Sequence, residues 1–148
     1  MFEAKVYKVM IGCPGDSMEE LLVAKRVIAQ WNEQNAEREG KLLYPIEWEA
    51  SECNLQDLDI VIGIIGTRIV DTELIEKSIE AGKHVILFFR TFNDDRSYLS
   101  LDLENLDAFK KRVSDKTECI KYDSYSTFDN AFIKVLNNNP MFSHYGIR

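Results

Sequence analysis

The chain has 148 residues, of which 45% are hydrophobic and 29% are charged, and these values are typical of a globular domain rather than of a disordered or membrane chain. A length of about 150 residues is enough to bury a core without a disulfide or a metal, so we expect one domain over residues 1–148. The net charge of -7 is not that of a protein that binds a nucleic-acid backbone, which needs a basic patch.

Targeting, membrane and metal segments are not predicted. The first residues lead directly into a strand pattern, without the basic leader and apolar core of a secretion signal. No apolar run approaches the length of a membrane span, so we expect a cytoplasmic protein with no membrane partner. Cys13, Cys53 and Cys119 are an odd number at wide spacing, and with only two histidines in the chain they predict unpaired thiols and no metal site.

The first elements are a strand, a helix and a second strand. Residues 6–11 form a mostly apolar, β-branched run that predicts a buried strand. Ser17 stands three residues before Glu20, the spacing of a capping box, which predicts a helix from here to about Gly40. Residues 42–48 are extended, and Pro45 places them at a sheet edge because proline cannot donate to a ladder.

The middle of the sheet is predicted at residues 60–66, which are apolar without alternation, as in a parallel strand covered on both faces. Only about ten residues separate this strand from the previous one, fewer than a βαβ crossover needs. Either the crossover helix is reduced to a turn, or the molecule contains residues that this sequence lacks.

The second half of the chain alternates helix and strand. Asp71 or Thr72 is predicted to cap a helix that runs to about Ala81 and is closed by Gly82. Further strands are predicted at residues 84–89 and 118–122, and further helices at 103–113 and 128–136. Five strands alternating with helices predict a flavodoxin-like, doubly wound parallel sheet with helices on both faces and the strand order 2-1-3-4-5.

A ligand site is expected where this strand order reverses, between strands one and three, outside their carboxyl ends. The first loop at this point puts two glycines beside a helix N-terminus, which favours an anion such as phosphate. It lacks the G-x-G-x-x-G and Walker patterns, and a tight turn with a capping box explains it equally well. The two loops supply the candidate ligand-binding residues Gly12, Cys13, Pro14, Gly15, Asp16, Ser17, Gly66, Thr67 and Arg68.

Three charged residues near this point have chemistry to offer, each with a plainer alternative. The guanidinium of Arg68 could hold a phosphate or carboxylate, or pair with an acidic neighbour on the surface. Glu73 and Glu76 lie in the first turns of the second helix, where a carboxylate could act as a base or as a nucleophile at a sugar carbon. Acidic residues are also simply favoured at helix starts. Cys13 has no histidine predicted near it, so a catalytic cysteine is not expected.

Several blocks of this chain, taken in order, form a recognisable pattern. They are Val9-Met10-Ile11-Gly12-Cys13-Pro14-Gly15-Asp16, Glu19-Glu20, Trp31-Asn32, Pro45-Ile46-Glu47-Trp48-Glu49, the run from Asp59 to Ile69, and Glu80-Ala81-Gly82-Lys83-His84-Val85. Together these blocks resemble a bacterial family of TIR-like domains that is related in fold to the nucleoside 2-deoxyribosyltransferases, and the resemblance covers roughly residues 6–90. Two segments are shorter than in that family: the one before the middle strand, and the loop before the family's catalytic glutamate, here Val70-Asp71-Thr72.

The resemblance implies a pocket for a nucleotide or nucleoside and a helix glutamate that acts at the N-glycosidic carbon. Counting back from Gly82, the family's glutamate position falls on Leu74, and a shift of one residue would place it on Glu73. Such domains occur in bacterial defence and signalling, so the chain would be either a whole protein or the N-terminal part of a longer effector.

Two functions remain open from the sequence. One is an N-glycosidase that cleaves NAD or a nucleoside, with Glu73 as nucleophile or base and NAD or a nucleotide as substrate rather than as a bound cofactor. The other keeps the pocket without the chemistry, as a nucleotide sensor or a self-associating interaction module. Electron transfer with FMN is disfavoured because the first loop lacks a hydroxyl-rich phosphate cradle.

Overall fold

A computed structural model describes residues 1–12, 18–47, 55–65, 72–91 and 100–138 of the protein. Its five strands form one parallel sheet in the order β2-β1-β3-β4-β5, which confirms the predicted flavodoxin-like fold and its strand order. The strands are β1 (Lys5–Gly12), β2 (Lys41–Glu47), β3 (Ile60–Ile65), β4 (His84–Arg90) and β5 (Glu118–Tyr122). The α-helices are α1 (Met18–Glu39), α2 (Glu73–Glu80), α3 (Ser100–Val113) and α4 (Tyr125–Asn138).

The helices cover the sheet on both faces. On the first face, α1 and α4 pack over alternate residues of β3, such as Ile62 and Ile64. On the second face, α2 and α3 pack over the residues between them, such as Val61 and Ile65. Every residue of β3 is buried, which is the physical reason why its sequence is apolar without alternation.

The first helix ends as predicted. Gly40 has a φ of 66°, a left-handed conformation that glycine adopts without the steric cost of a Cβ atom. Its amide donates to the carbonyl of Ala36, and its own carbonyl accepts from the amide of Lys5 at 2.8 Å. The end of α1 is therefore fixed to the start of β1.

The crossover between β2 and β3 contains a single 3-10 turn, Leu55–Asp57, in its described part. Asp59 fixes this turn to β1, because its carboxylate accepts from the amide of Lys8 at 2.8 Å and its own amide donates to the Lys8 carbonyl at 3.0 Å. Val6 and Tyr44 on the neighbouring strands remain 50% and 55% exposed. No described helix is long and apolar enough to cross a membrane.

Candidate functional site

The strand order reverses between β1 and β3, and the described residues place Gly12 at this point. Gly12 pairs in register with Gly63 of β3, and β3 continues two residues further, to Ile65. The chain leaves both strands at the same edge of the sheet, where ligands of open α/β sheets bind. The other candidate ligand-binding residues lie outside the described residues; they are Cys13, Pro14, Gly15, Asp16, Ser17, Gly66, Thr67 and Arg68.

Glu73 begins α2 and points away from the sheet. Ile75, two residues on, is fully buried, and positions two apart on a helix point about 200° apart. The Glu73 side chain is accordingly 68% exposed, and its carboxylate lies 2.8 Å from Nζ of Lys77, one turn later on the same helix. An exposed pair of this kind contributes little to stability.

Glu76 connects α2 to α3. Its carboxylate accepts from Nε of Arg112 at 2.8 Å and from the hydroxyl of Thr72 at 3.0 Å. Thr72 stands at the N-cap position of α2, but its side chain caps no backbone amide, so the cap predicted for Thr72 does not form. Its hydroxyl donates to Glu76. The alternative cap, Asp71, lies outside the described residues. Both oxygens of Glu76 therefore have protein partners, and the residue acts as a tie between two helices.

Leu74 occupies the side of α2 opposite to Glu76, again because the two positions differ by about 200°. Arg112 and the rest of α3 lie on the β5 side of α2, since α3 packs with Phe89 of β4. The opposite side of α2 therefore faces β1 and the point of strand reversal. The residue on that side of α2 is Leu74, which is half-buried and packs against the core of the second face.

Glu20 has a long-range partner that the sequence analysis did not predict; its predicted capping-box partner, Ser17, lies outside the described residues. Glu20 is 2% exposed, and the hydroxyl of Tyr122, at the end of β5, donates to its Oε2 at 2.5 Å. Thr91 adds to this corner, since its amide donates to the Tyr122 carbonyl at 2.7 Å. The signal in the sequence is that Glu20 falls on the apolar stripe of α1, in line with Ala24 and Trp31.

A second tie at the carboxyl edge joins α1 to the end of β2. Lys25 of α1 forms an ion pair with Glu47, the last residue of β2. Together with the hydrogen bond from Tyr122 to Glu20, this pair links the first turns of α1 to both edge strands of the sheet. Because α1 leads from β1 to β2 in a parallel sheet, its N-terminal amides lie at the carboxyl edge of the sheet.

Three grooves are lined by described residues and lie between neighbouring helices and strands. One of about 690 Å³ lies between β5 and α4, and its border includes Ile120 and Lys134. Another of about 260 Å³ lies between α2 and α3 around Arg112, and a third of about 170 Å³ lies between α1 and α4 around Trp31. Within the described ranges, no three His, Cys, Asp or Glu side chains are placed to share a metal ion.

Cys119 is unpaired, as predicted, and lies half-buried on β5. Burial raises the pKa of its thiol, so at neutral pH it carries less thiolate than an exposed cysteine. The other two cysteines, Cys13 and Cys53, lie outside the described residues.

Comparisons with known proteins give structural likenesses only. No protein-family model and no curated sequence matches the chain. The chain is similar to S. aureus homoserine dehydrogenase, with a TM-score of 0.45 and 12% identity over 80% of this chain and 33% of that one, so it spans about a third of the enzyme's length. It is also similar to the lactose-specific IIB component domain of the phosphotransferase system from Streptococcus pneumoniae, with a TM-score of 0.39 and 12% identity over 93% and 98% of the two chains. Likenesses this weak carry no information on ligand or activity.

Proposed function

We propose that this protein is a TIR-like nucleotide- or nucleoside-binding domain that senses its ligand without cleaving the N-glycosidic bond. The binding site is the carboxyl edge between β1 and β3, formed by Gly12 and the loops that contain residues 13–17 and 66–68. The doubly wound sheet supports this location, since its strand order reverses there. The fixed N-terminus of α1 supports an anionic group such as a phosphate, which backbone amides and the helix dipole both favour.

The observation that carries the absence of cleavage is the orientation of the two candidate glutamates. A nucleophile must come within about 3 to 3.5 Å of the sugar carbon in the bound complex. Glu73 points away from the sheet and lies beside Lys77, and Glu76 is bound by Arg112 and Thr72. The side of α2 that faces β1 carries Leu74, a residue with no nucleophilic or basic group.

Binding and cleavage are separated by one experiment with two readouts. The protein is titrated with NAD, ADP-ribose, AMP and deoxyadenosine by calorimetry, and each mixture is then assayed by chromatography for released base. We expect saturable binding of at least one of these ligands and no release of base. Binding should also raise the melting temperature, since a ligand at 100 times its Kd stabilises the folded state by about 2.7 kcal/mol.

Glu73→Gln tests the glycosidase alternative directly. If the parent releases base and Glu73→Gln does not, with ligand affinity unchanged, Glu73 is the nucleophile or base and the sensor proposal is wrong. Glu80→Gln is the matched control, because Glu80 is an exposed glutamate on the same helix, one turn beyond Glu76. If none of the four ligands binds the parent protein, the nucleotide-binding proposal is itself rejected.

Arg68→Ala tests where the ligand binds. We expect it to weaken the binding of a phosphate-containing ligand by about tenfold or more, because a guanidinium can form two parallel hydrogen bonds to a phosphate. Arg26→Ala is the control, since Arg26 is an exposed arginine that pairs with Asp129 of α4 at 3.1 Å and lies eight residues after the start of α1. Equal affinities in the two variants would place the ligand elsewhere.

A further inference from the structure

The groove between α1 and α4 contains a buried donor without an acceptor among the described residues. Trp31 lines this groove and is only 4% exposed, yet its indole Nε1 has no hydrogen-bond partner in the described part of the chain. A buried N–H group without a hydrogen-bond partner is rare in folded proteins, so the missing acceptor of Trp31 requires an explanation. The unmatched Trp31 donor therefore points to an occupant of the groove that carries an acceptor.

The groove has the size and surface of a site for one aromatic ring. Its volume is about 170 Å³, close to the roughly 150 Å³ of a protein cavity known to hold a benzene molecule. Val27 and Leu136 supply apolar lining, and Ile133, also on its border, is 36% exposed. The side-chain amides of Gln30 and Gln34 stand at the same border and can pair with a polypeptide backbone.

The chain itself supplies a suitable segment at the right place. Asn137, in the last turn of α4, borders the groove, and ten residues of the sequence follow Asn138. Pro140 disfavours helical geometry at the residue before it, so the sequence does not favour a continuation of α4 beyond Asn138. Four residues span at most about 14 Å, which is enough for Phe142 to reach a groove that α4 itself borders.

We propose that residues 139–148 dock in the groove between α1 and α4, with the ring of Phe142 inside it and a main-chain carbonyl of the segment accepting the hydrogen bond from Nε1 of Trp31. The docked segment covers Ile133 and completes the layer that α1 and α4 form on the first face. This proposal concerns the side of the domain and is independent of the nucleotide site.

The wider groove between β5 and α4 fits the segment less well. It measures about 690 Å³, far more than one ring fills, and its border carries the charges of Glu118 and Lys134. A sixth parallel strand beside β5 is also disfavoured. α1 and α4 lie on the same face of the sheet. The crossover through α1 is right-handed and leads from β1 toward the β2 edge. A crossover through α4 to a strand beyond β5 would run in the opposite direction on the same face and would therefore be left-handed, which is rare.

The test uses Trp31 as its own probe. In a Trp48→Phe background, Trp31 is the only tryptophan of the chain, and its indole proton gives a single resonance after ¹⁵N labelling. We compare this chain with the same chain ending at Asn138. On truncation, we expect the indole proton to exchange with water at least tenfold faster, and the fluorescence of Trp31 to shift to longer wavelength. A synthetic peptide of residues 139–148 added in excess should reverse both changes.

Point variants keep the proposal testable if the truncated chain does not fold. Phe142→Ala should accelerate indole exchange as truncation does, whereas Tyr145→Ala, in the same segment, should leave it within twofold of the parent. Unchanged exchange and emission in the truncated chain or in Phe142→Ala would overturn the proposal. A change that depends on protein concentration and accompanies dimer formation would also overturn it, because the groove would then be filled by a second copy of the chain.

Discussion

Gly63 of β3 lies close to side chains of β4 and α2. Of the glycines whose surroundings are described, it is the one that has no room for a Cβ atom. A Cβ atom at this position would stand 2.7 Å from Cδ2 of Leu87 and 2.9 Å from Cδ1 of Ile75, both inside normal contact distance. These neighbours are fully buried, so neither can move aside into open space. The glycine is therefore needed for packing, and its proximity to Gly12 does not by itself indicate a ligand.

We expect Gly63→Ala to lower the free energy of unfolding by about 1 to 3 kcal/mol, the usual cost of adding a methyl group to a filled core. Urea denaturation measures this loss. Leu87→Ala removes one of the two obstructing atoms, so Gly63→Ala should cost less in the Leu87→Ala background than in the parent. The same cost in both backgrounds would show that packing against Leu87 is not the reason for the glycine.

At the scale of elements, β2 is an edge strand whose outward side is occupied. The side-chain amide of Asn32, on α1, donates to the carbonyl of Leu43 at 2.8 Å and accepts from its N–H at 2.9 Å. This is the pattern of hydrogen bonds that a further strand would make. Pro45, two residues on, has no N–H to offer, so the edge is closed to pairing at two neighbouring positions.

We expect Asn32→Leu to lower the free energy of unfolding by about 1 to 3 kcal/mol, because it removes the hydrogen-bond partners of both the N–H and the carbonyl of the buried Leu43. Hydrogen exchange should show a Leu43 amide that is protected in the parent and exchanges faster in the variant. Glu33→Leu controls for added apolar surface on the same helix, since Glu33 is exposed and lies outside the groove between α1 and α4. Equal losses in the two variants would exclude a specific role for the Asn32 amide.

The sequence predicts most of the elements because local signals mark their bounds. The apolar run of β3, the proline of β2 and the glycines at 40 and 82 each report a backbone requirement that can be recognised within a few residues. Gly82 has a φ of 75°, as expected for the residue that closes a helix. Strand order followed from the buried character of β3 together with the handedness of βαβ units.

The site could be predicted less well, because its contacts join residues that are distant in the sequence. Glu20 and Tyr122 are 102 positions apart, and Glu76 and Arg112 are 36 apart, so neither pair has a local signal. The direction of Glu73 depends on which side of α2 faces the sheet. A periodic pattern places Glu73 opposite to Ile75, but it does not say where the ligand-binding edge lies relative to the helix.

For the molecule as a whole, polar ties between helices and strands hold each layer together. On the second face, Arg112 and Glu76 join α3 to α2. On the first face, Arg26 pairs with Asp129 of α4, and Tyr122 donates to Glu20. The hydrogen bond from Tyr122 to Glu20 joins the first turn of α1 to the end of β5. Both residues lie at the carboxyl edge of the sheet, where we place the nucleotide. Loss of this bond should therefore lower both the free energy of unfolding and the affinity for the ligand.

We expect Tyr122→Phe to lower the free energy of unfolding by about 1.5 to 3 kcal/mol, because the Glu20 carboxylate, 2% exposed, then stays buried without its phenol donor. Tyr44→Phe is the matched control, since the ring of Tyr44 is 55% exposed on β2, and it should change stability by no more than about 0.5 kcal/mol. Urea denaturation of both variants, and of each combined with Glu20→Gln, gives the coupling energy between Glu20 and Tyr122. Similar small losses in Tyr122→Phe and Tyr44→Phe, with no coupling, would show that this hydrogen bond does not hold α1 to β5.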